Sequence, residues 1–345
     1  MFVLGIETSC DETAVALIER GANNRVLNEK IKSQIPLHSK YGGIVPEIAS
    51  RSHLEYIDLI TDRVLSESGC RLKEIDLLCV TQGPGLIGSL LVGLSFAKGI
   101  SYQHNIPLVP VDHIYSHIES AFVDHPDIAY PIVALVVSGG HTTLFFQKSK
   151  FDSQIVSKTR DDAVGEVMDK IAKFFGLGYP GGPILDQIYK SGNPERFAFT
   201  FPRMSDGSND FSFSGYKTAA LRLGKENNLS SHSQEFIDLI ASFLHSVVDY
   251  LLLKTTEAVD FYSARSVIVA GGVSRNSLLR RKFSDAFSKK NIPLYLPSPR
   301  FCTDNASMVA WMGYEVFRRY PDGHYFDYHL NAYSRSLFRE AGKHR

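Results

Sequence analysis

Apolar and polar positions near the start of the chain alternate between strand-like and helical periods. Two β-branched and aliphatic runs, 4–7 and 13–18, flank a polar stretch and predict a hairpin. Helical periodicity follows over 45–66 and ends at Gly69. The next predicted elements are a strand at 77–80, a helix at 86–102, a strand at 108–111 and a helix at 113–122.

A second hairpin repeats the first about 130 residues later. Its strand-like runs, 132–137 and 142–146, flank the small polar turn Ser138-Gly139-Gly140-His141. Downstream, the pattern predicts a helix at 163–175, a loop at 176–183, a helix at 236–259, a strand at 266–270 and helices at 276–287 and 305–319. This alternation predicts an α/β protein built from two related halves.

The amino-acid composition excludes several classes of protein but does not identify the function. The 345 residues are 44% hydrophobic and 21% charged, which is typical of a globular chain of about two domains. No uninterrupted apolar run reaches the roughly 18 residues of a membrane helix, and the first strand begins too early to leave room for a signal peptide. Four cysteines without a CxxC pair favour a reducing compartment, and 37 basic against 37 acidic residues argue against a surface that is basic throughout.

A His-x-x-x-His pair is the clearest candidate for metal chemistry. His113 and His117 are four residues apart on a predicted helix, where both imidazoles can reach one ion. Surface or capping histidines are the alternative interpretation. A metalloprotease needs a Glu beside the first His, and Ile114 stands there. Asp304 is a candidate third ligand, with a helix cap as its alternative, and such a set suits Fe(II) or Zn(II).

Gly-rich turns after predicted strands are the candidates for nucleotide binding. The turns at 138–140 and 271–272 expose backbone N–H groups, but neither matches a P-loop or a dinucleotide fingerprint, and each can be a plain turn. Asp169 and Asn276 are candidates for contacts with ribose or base. A solvated helix face and a helix cap are their respective alternatives.

Together these segments resemble the TsaD (Gcp) family, the bacterial tRNA N6-adenosine threonylcarbamoyltransferases. The motifs that carry the resemblance occur in order from residue 5 to residue 308: GIETSCDET, YGGIVPEIASRSH, GPGLIGSLLVG, VDHIYSHIES, VVSGGHTTL, DDAVGEVMDKIAKFFGLGYPGGP, FSFSGYKTA, AGGVSRN and CTDNASM. The resemblance implies a duplicated actin-like ATPase/sugar-kinase (ASKHA) fold with two lobes facing a nucleotide cleft. We expect lobes at 1–112 plus about 310–345, and at 113–309 with a helical insertion.

The activity implied by the resemblance is transfer of threonylcarbamoyl from threonylcarbamoyl-AMP to N6 of the adenosine adjacent to the anticodon. The tRNAs are those that read codons starting with A, and the product is t6A. The implied residues are metal ligands His113, His117 and Asp304; an adenylate loop of Val136, Val137, Ser138, Gly139 and Gly140; nucleotide contacts Asp169, Gly182, Asp186 and Asn276; and catalytic carboxylates Asp11 and Glu12. Fe(II) is the favoured metal and Zn(II) the alternative, and ATP, ADP or AMP are further candidates for the cleft.

The resemblance also implies partners: tRNA, a TsaB-like paralogue, a TsaE-like ATPase and a TsaC/Sua5-like synthase, in the cytoplasm and without a membrane. An ASKHA-type small-molecule kinase is the first alternative, although a kinase has no need of the His pair. A metalloprotease is the second alternative. We expect a local basic surface for tRNA in the stretches 275–300 and 335–345.

Overall fold

The computed structural model describes residues 1–335, which form ten strands and eleven α-helices. The strands are β1 Phe2–Glu7, β2 Glu12–Glu19, β3 Arg25–Ser33, β4 Leu77–Gly83, β5 Leu108–Asp112, β6 Ile132–Val137, β7 Thr142–Ser149, β8 Asp152–Lys158, β9 Ser266–Ala270 and β10 Leu294–Tyr295. The helices are α1 Ile35–His38, α2 Pro46–Glu67, α3 Ile87–His104, α4 His113–Asp124, α5 Val164–Phe174, α6 Gly181–Ile188, α7 Ser214–Glu226, α8 Gln234–Tyr262, α9 Ser277–Lys289, α10 Pro299–Cys302 and α11 Ala306–Arg319.

The described residues form two compact units: unit 1 comprises 1–126 and 297–335, and unit 2 comprises 127–296. These bounds differ from the lobes expected from the sequence, because 113–126 and 297–309 lie in unit 1. The reason is packing, since α4 lies against α10 and α11. All three predicted metal ligands therefore lie in unit 1.

Each unit contains one five-stranded mixed sheet. The strand order in unit 1 is β3-β2-β1-β4-β5, with β1 antiparallel to β2 and parallel to β4. In unit 2 the order β8-β7-β6-β9-β10 repeats it, with β6 antiparallel to β7 and parallel to β9. The prediction of two related halves is confirmed, and so is the α/β class. In both units a hairpin comes first and helical crossovers add the parallel strands.

The two units have separate cores. Unit 1 packs aliphatic residues of β1, β2 and β4 against α2 and α3. Unit 2 has an aromatic core in which the rings of Phe211, Phe213 and Tyr216 each contact the ring of Tyr250. Its central helix, α8, is long and apolar enough to cross a membrane by length and composition, and 61% of its apolar window is buried inside the protein. The sequence expectation concerned uninterrupted apolar runs, and Asp238 and Asp249 interrupt this helix. Burial of this degree is typical of a core helix.

Several elements are absent from the sequence prediction. The strand β3 carries Asn28, Lys30 and Lys32 at the edge of its sheet, so its apolar alternation is weak. The helix α6 begins with Gly181-Gly182-Pro183, residues that favour a loop, and Pro183 is accommodated in its first turn. The strands β8 and β10 and the helix α7 were also missed.

Gly5 lies in the middle of β1, where α11 crosses the sheet. A Cβ there would lie 2.3 Å from the carbonyl oxygen of Ala306 and 2.9 Å from Cβ of Ala310. We expect Gly5→Ala to lower the free energy of unfolding by about 1–3 kcal/mol in urea denaturation, because backbone must move. Gly99→Ala in α3 is the control: nothing lies within 4 Å of its Cβ, and up to about 1 kcal/mol of stabilisation is expected. Equal stability of the two variants would contradict this packing.

Candidate functional site

His113 is the first residue of α4, and the residue before it caps this helix. The chain leaves β5 at Asp112, whose side chain accepts hydrogen bonds from the Ile114 and Tyr115 N–H groups and so caps α4. His113 and His117 are both buried, and their ring centroids are 4.7 Å apart. The spacing predicted from the sequence therefore places both rings on one face of α4.

Asp304 brings a carboxylate to the two histidines from the segment between α10 and α11. Its Oδ1 lies 3.1 Å from His117 Nε2 and 3.5 Å from His113 Nε2. The helix-cap alternative is wrong for Asp304, because the cap of α11 is Asn305, which accepts from the Met308 N–H. Residues almost two hundred positions apart thus converge on one point.

A second carboxylate, Glu7 at the end of β1, fixes the orientation of His113. His113 Nδ1 donates to Glu7 Oε2 at 3.1 Å, and Ser9 Oγ lies 3.2 Å from the same nitrogen. Burial lowers the pKa of His113, but the charges of Asp304 and Glu7 outweigh burial and raise this pKa to about 9. Burial raises the pKa of Glu7, but the charge of His113 and its hydrogen bond to Glu7 outweigh burial, so the pKa of Glu7 is lowered. This arrangement leaves His113 Nε2 directed toward Asp304.

The residues His113, His117 and Asp304 fit a metal ion. Their ligand atoms all lie within 4.8 Å of one another. His117 is fully buried, and neither of its ring nitrogens has a hydrogen-bonding partner among residues 1–335, although Nε2 approaches Asp304. Two imidazoles and a carboxylate form a donor set for a divalent transition metal, and Glu7 supplies the outer-shell partner that such ligands usually have. The group could therefore hold a metal.

The first hairpin turn of unit 1 carries the predicted catalytic carboxylates, Asp11 and Glu12. Burial is the main cause that raises the pKa of both groups, and the charge of Asp11 raises that of Glu12 further. His53 on α2 holds the turn: its Nε2 donates to Cys10 O at 3.0 Å, and its Nδ1 accepts from Thr13 Oγ1 at 2.8 Å. Asp11 is therefore buried and Glu12 half-buried on a turn that His53 holds in place.

The corresponding turn of unit 2 is the predicted adenylate loop. Ser138 N–H donates to His141 O at 2.8 Å, and Ser138 Oγ accepts from the His141 N–H at 3.1 Å. Gly139 and Gly140 at its tip are exposed, with open space where a Cβ would lie. The predicted residues Val136 and Val137 belong to β6, and their side chains are fully buried in the sheet. Among these predicted residues, the turn 138–140 is the part that is not fully buried.

The remaining predicted nucleotide residues fall into two neighbouring groups in unit 2. Asp169 accepts from the Gly181 N–H at 2.7 Å, beside Gly182, while Asp186 accepts from the N–H and hydroxyl of Ser277. Asn276 caps α9 by accepting from the Leu279 N–H, as its structural alternative predicted. Its Nδ2 is nevertheless buried without a hydrogen-bond partner among the described residues, which is uncommon for a buried polar group.

Comparison with known proteins decides the family. Residues 25–311 match the model of the family described as TsaD: tRNA N6-adenosine threonylcarbamoyltransferase. The chain belongs to the TsaD family. It is therefore a transferase that modifies tRNA, as the sequence motifs predict.

Curated relatives match the sequence of this TsaD chain over nearly its whole length. The tRNA N6-adenosine threonylcarbamoyltransferase of Thermodesulfovibrio yellowstonii is 48% identical over 96% of this chain and 98% of the relative. The enzyme of the same name from Thermosipho africanus is 43% identical over 92% and 95%. Among solved structures, component A of (R)-2-hydroxyglutaryl-CoA dehydratase from Acidaminococcus fermentans has a TM-score of 0.53 at 12% identity, over 92% of this chain and 98% of that one. The last likeness concerns the fold, which is the two-lobed ASKHA fold.

Two site residues of this TsaD chain were missed by reasoning from the sequence. Glu7 is a charged residue at the end of the apolar strand β1, and that position is the signal that could have revealed it. His53 lies on the apolar face of α2 and gives no comparable signal, because a buried histidine is common in helices. Glu7 bonds to the predicted ligand His113, and His53 bonds to Cys10 and Thr13, which flank the predicted Asp11 and Glu12.

The expected basic surface is partly neutralised in the structure. Lys282 pairs with Asp249 and Lys290 pairs with Asp260, whereas Arg281 and other residues of the stretch are exposed. Paired lysines contribute less to phosphate binding than unpaired ones. Most of the second predicted basic stretch, 336–345, lies outside the described residues.

Proposed function

We propose that this chain transfers the threonylcarbamoyl group of threonylcarbamoyl-AMP to N6 of the adenosine adjacent to the anticodon, in tRNAs that read codons starting with A. The convergence of His113, His117 and Asp304 in unit 1 is the observation that carries this proposal within the family. A kinase needs no such group, and a metalloprotease of this type needs a carboxylate where Ile114 stands. The cytoplasm is the proposed location, because tRNA modification takes place with the tRNA pool.

We propose His113, His117 and Asp304 as ligands of one divalent cation, Fe(II) before Zn(II). Such a cation, when bound, supplies Lewis-acid polarisation of the threonylcarbamoyl carbonyl. Glu7 holds His113 Nδ1 so that Nε2 is the nitrogen available for binding. The donor set of two nitrogens and one oxygen leaves positions for substrate oxygens.

We propose that the turn 138–140 of unit 2 binds the adenylate. The exposed backbone of Gly139 and Gly140 can approach phosphate oxygens without obstruction, and backbone N–H groups oriented in advance stabilise charge that grows on the departing AMP. Asn276 Nδ2 is a buried donor ready for a ribose or base acceptor. Asp169, Gly182 and Asp186 lie on α5 and α6, and we propose them as the remaining nucleotide contacts.

We propose Asp11 and Glu12 as the groups that receive the proton of the attacking amine. The exocyclic N6 is a weak nucleophile and needs a base. Its lone pair attacks the threonylcarbamoyl carbonyl while a carboxylate takes one N–H proton, and the bond between the carbonyl carbon and the AMP phosphate oxygen breaks. A base is most effective when its pKa lies near the working pH, and burial moves Glu12 in that direction. The partners we propose are tRNA, a TsaB-like paralogue and a TsaE-like ATPase, with a TsaC/Sua5-like synthase supplying the adenylate.

A reconstitution tests the proposed function. Purified chain, the partner proteins, threonylcarbamoyl-AMP and unmodified tRNA are combined with Fe(II), Zn(II) or EDTA, and the nucleosides are analysed by mass spectrometry. We expect t6A with a divalent cation and none with EDTA. Absence of t6A under every metal condition would defeat the proposal, and phosphorylation of a small molecule by ATP without tRNA activity would favour the kinase.

Glu12→Gln should slow the transfer about 100- to 10,000-fold, the usual range for loss of a general base, with little change in KM for tRNA. Single-turnover rates with excess adenylate measure this effect. Glu19→Gln is the matched control, because Glu19 ends the same strand and pairs with Arg25 at the surface. A wild-type rate for Glu12→Gln would remove Glu12 from the reaction and leave Asp11 as the candidate base.

A further inference from the structure

A segment that follows α11 lies across unit 1 and reaches the start of α4. We call residues 325–333 the strap. Its backbone oxygens accept hydrogen bonds from three parts of unit 1: Leu108 N–H to Tyr325 O, Lys98 Nζ to Leu330 O, and Gln82 Nε2 to Asn331 O. The strap is therefore anchored along its length to β4, β5 and the helix between them.

The strap ends at Tyr333, which is fitted closely into unit 1. Its hydroxyl donates to Asp112 Oδ2 at 2.8 Å, and its N–H donates to Gln82 O. Its ring lies against Gly83, where a Cβ would come within 2.7 Å of ring atom Cδ2. Gly83 and Asp112 are partners in the register of β4 and β5, so Tyr333 covers the ends of both strands.

The two carboxylate oxygens of Asp112 accept hydrogen bonds from different elements, one from the strap and the other from α4. Oδ1 accepts from the Ile114 N–H at 2.8 Å and the Tyr115 N–H at 3.1 Å, while Oδ2 accepts from Tyr333. A carboxylate held only at Oδ1 can rotate about its own bond, and a second hydrogen bond at Oδ2 prevents that rotation. Because His113 is the next residue, the placement of this cap bears directly on the first histidine of the pair.

We propose that Tyr333 is a positioning residue for the metal centre: through Asp112 it fixes the first turn of α4 and with it the ring of His113. The proposal rests on the proposed function to the extent that His113 binds a cation. The hydrogen bonds of Tyr333 go to Asp112 and Gln82, so its effect on the metal centre passes through the helix cap. The strap thus contributes to the site from a part of the sequence that carries no recognised motif.

Tyr333→Phe tests this role, because phenylalanine keeps the ring packing on Gly83 and removes only the hydroxyl. Full-length protein is stripped with EDTA and titrated with Zn²⁺ against a chromophoric chelator, and with Fe²⁺ under anaerobic conditions. We expect the dissociation constant to rise about tenfold, the lower end of the range for partners outside the ligand shell. The amides of Ile114 and Tyr115 should also exchange with solvent faster in the metal-free protein.

Tyr328→Phe is the matched control. It also removes one tyrosine hydroxyl from the strap, but that hydroxyl contacts Ser101 Oγ, away from α4. We expect its metal affinity and its amide exchange at α4 to match the wild type. An equal loss of affinity in both variants would show that the strap matters only for general stability and would overturn the proposal.

Asp112→Ser identifies the path of the effect. Serine caps helices about as well as aspartate but has a single side-chain oxygen, so it preserves the cap and removes the contact with Tyr333. In this background Tyr333→Phe should cause no additional loss of metal affinity, and an undiminished tenfold loss would contradict a path through Asp112. Wild-type affinity and exchange in Tyr333→Phe would overturn the proposal directly. If the wild type binds neither cation, the proposed metal centre fails, while amide exchange still decides whether Tyr333 holds the cap.

Discussion

We expect His117→Ala to slow threonylcarbamoyl transfer at least about a thousandfold while unit 1 stays folded. The residue is fully buried beside Asp304, and its replacement removes one of the three atoms that could bind a metal. Loss of Lewis-acid polarisation is worth several kcal/mol, and about 4 kcal/mol corresponds to a thousandfold change in rate. The measurement is the single-turnover rate of t6A formation at saturating Fe(II).

The fold should tolerate this change better than most substitutions of a buried polar residue. Neither ring nitrogen of His117 is hydrogen-bonded among residues 1–335, and Asp304 Oδ1, which lies 3.1 Å from His117 Nε2, keeps its contact with His113 Nε2 at 3.5 Å. We expect circular dichroism and the thermal midpoint to stay close to wild type. His104→Ala is the control, because His104 is exposed at the end of α3. Retained transfer by a metal-free preparation of the wild type would contradict the proposed role of the cation.

Local patterns were sufficient to predict the parts of the fold that surround the site. Both hairpins, the strand β5 and the helix α4 follow from alternation and helical periodicity, because these segments are apolar on one face or buried on both. The same patterns fail for α6 and β3. Glycine and proline at the start of α6 resemble a loop, and the polar edge strand β3 has little apolar alternation. In both cases tertiary contacts override a weak local preference.

The metal group was predictable only in part. The spacing of His113 and His117 is a local property of a helix, and it is present in the sequence. Asp304 reaches the histidines through the packing of α4 with α10 and α11, which no spacing rule reveals. The sequence alone offered it as a candidate beside a helix-cap alternative, and the family resemblance implied it as a ligand. The same long-range packing places both the histidines and Asp304 in unit 1, in contrast to the lobe boundaries expected from the sequence. Glu7 and Tyr333 act through such contacts as well.

Gly165→Ala tests the proposed adenylate turn without touching a residue that would bind the ligand. Gly165 lies in the first turn of α5, which packs directly beneath the turn at 138–140. A Cβ at this position would lie 2.5 Å from Ser138 O and 2.9 Å from Gly139 Cα. Both contacts are with backbone, so the turn must shift. A displacement of about 1 Å at a positioned group costs on the order of a hundredfold in rate.

We expect Gly165→Ala to lower kcat/KM for threonylcarbamoyl-AMP by about a hundredfold, mainly through KM, while metal affinity in unit 1 is unchanged. Gly215→Ala is a closely matched control, because Gly215 also lies in the first turn of a unit 2 helix, α7, and nothing lies within 4 Å of its Cβ. Its kinetics should equal those of the wild type. If Gly165→Ala were folded and fully active, the turn at 138–140 would not be the group that orients the adenylate. If it lost metal affinity as well, the effect would be general rather than local to the turn.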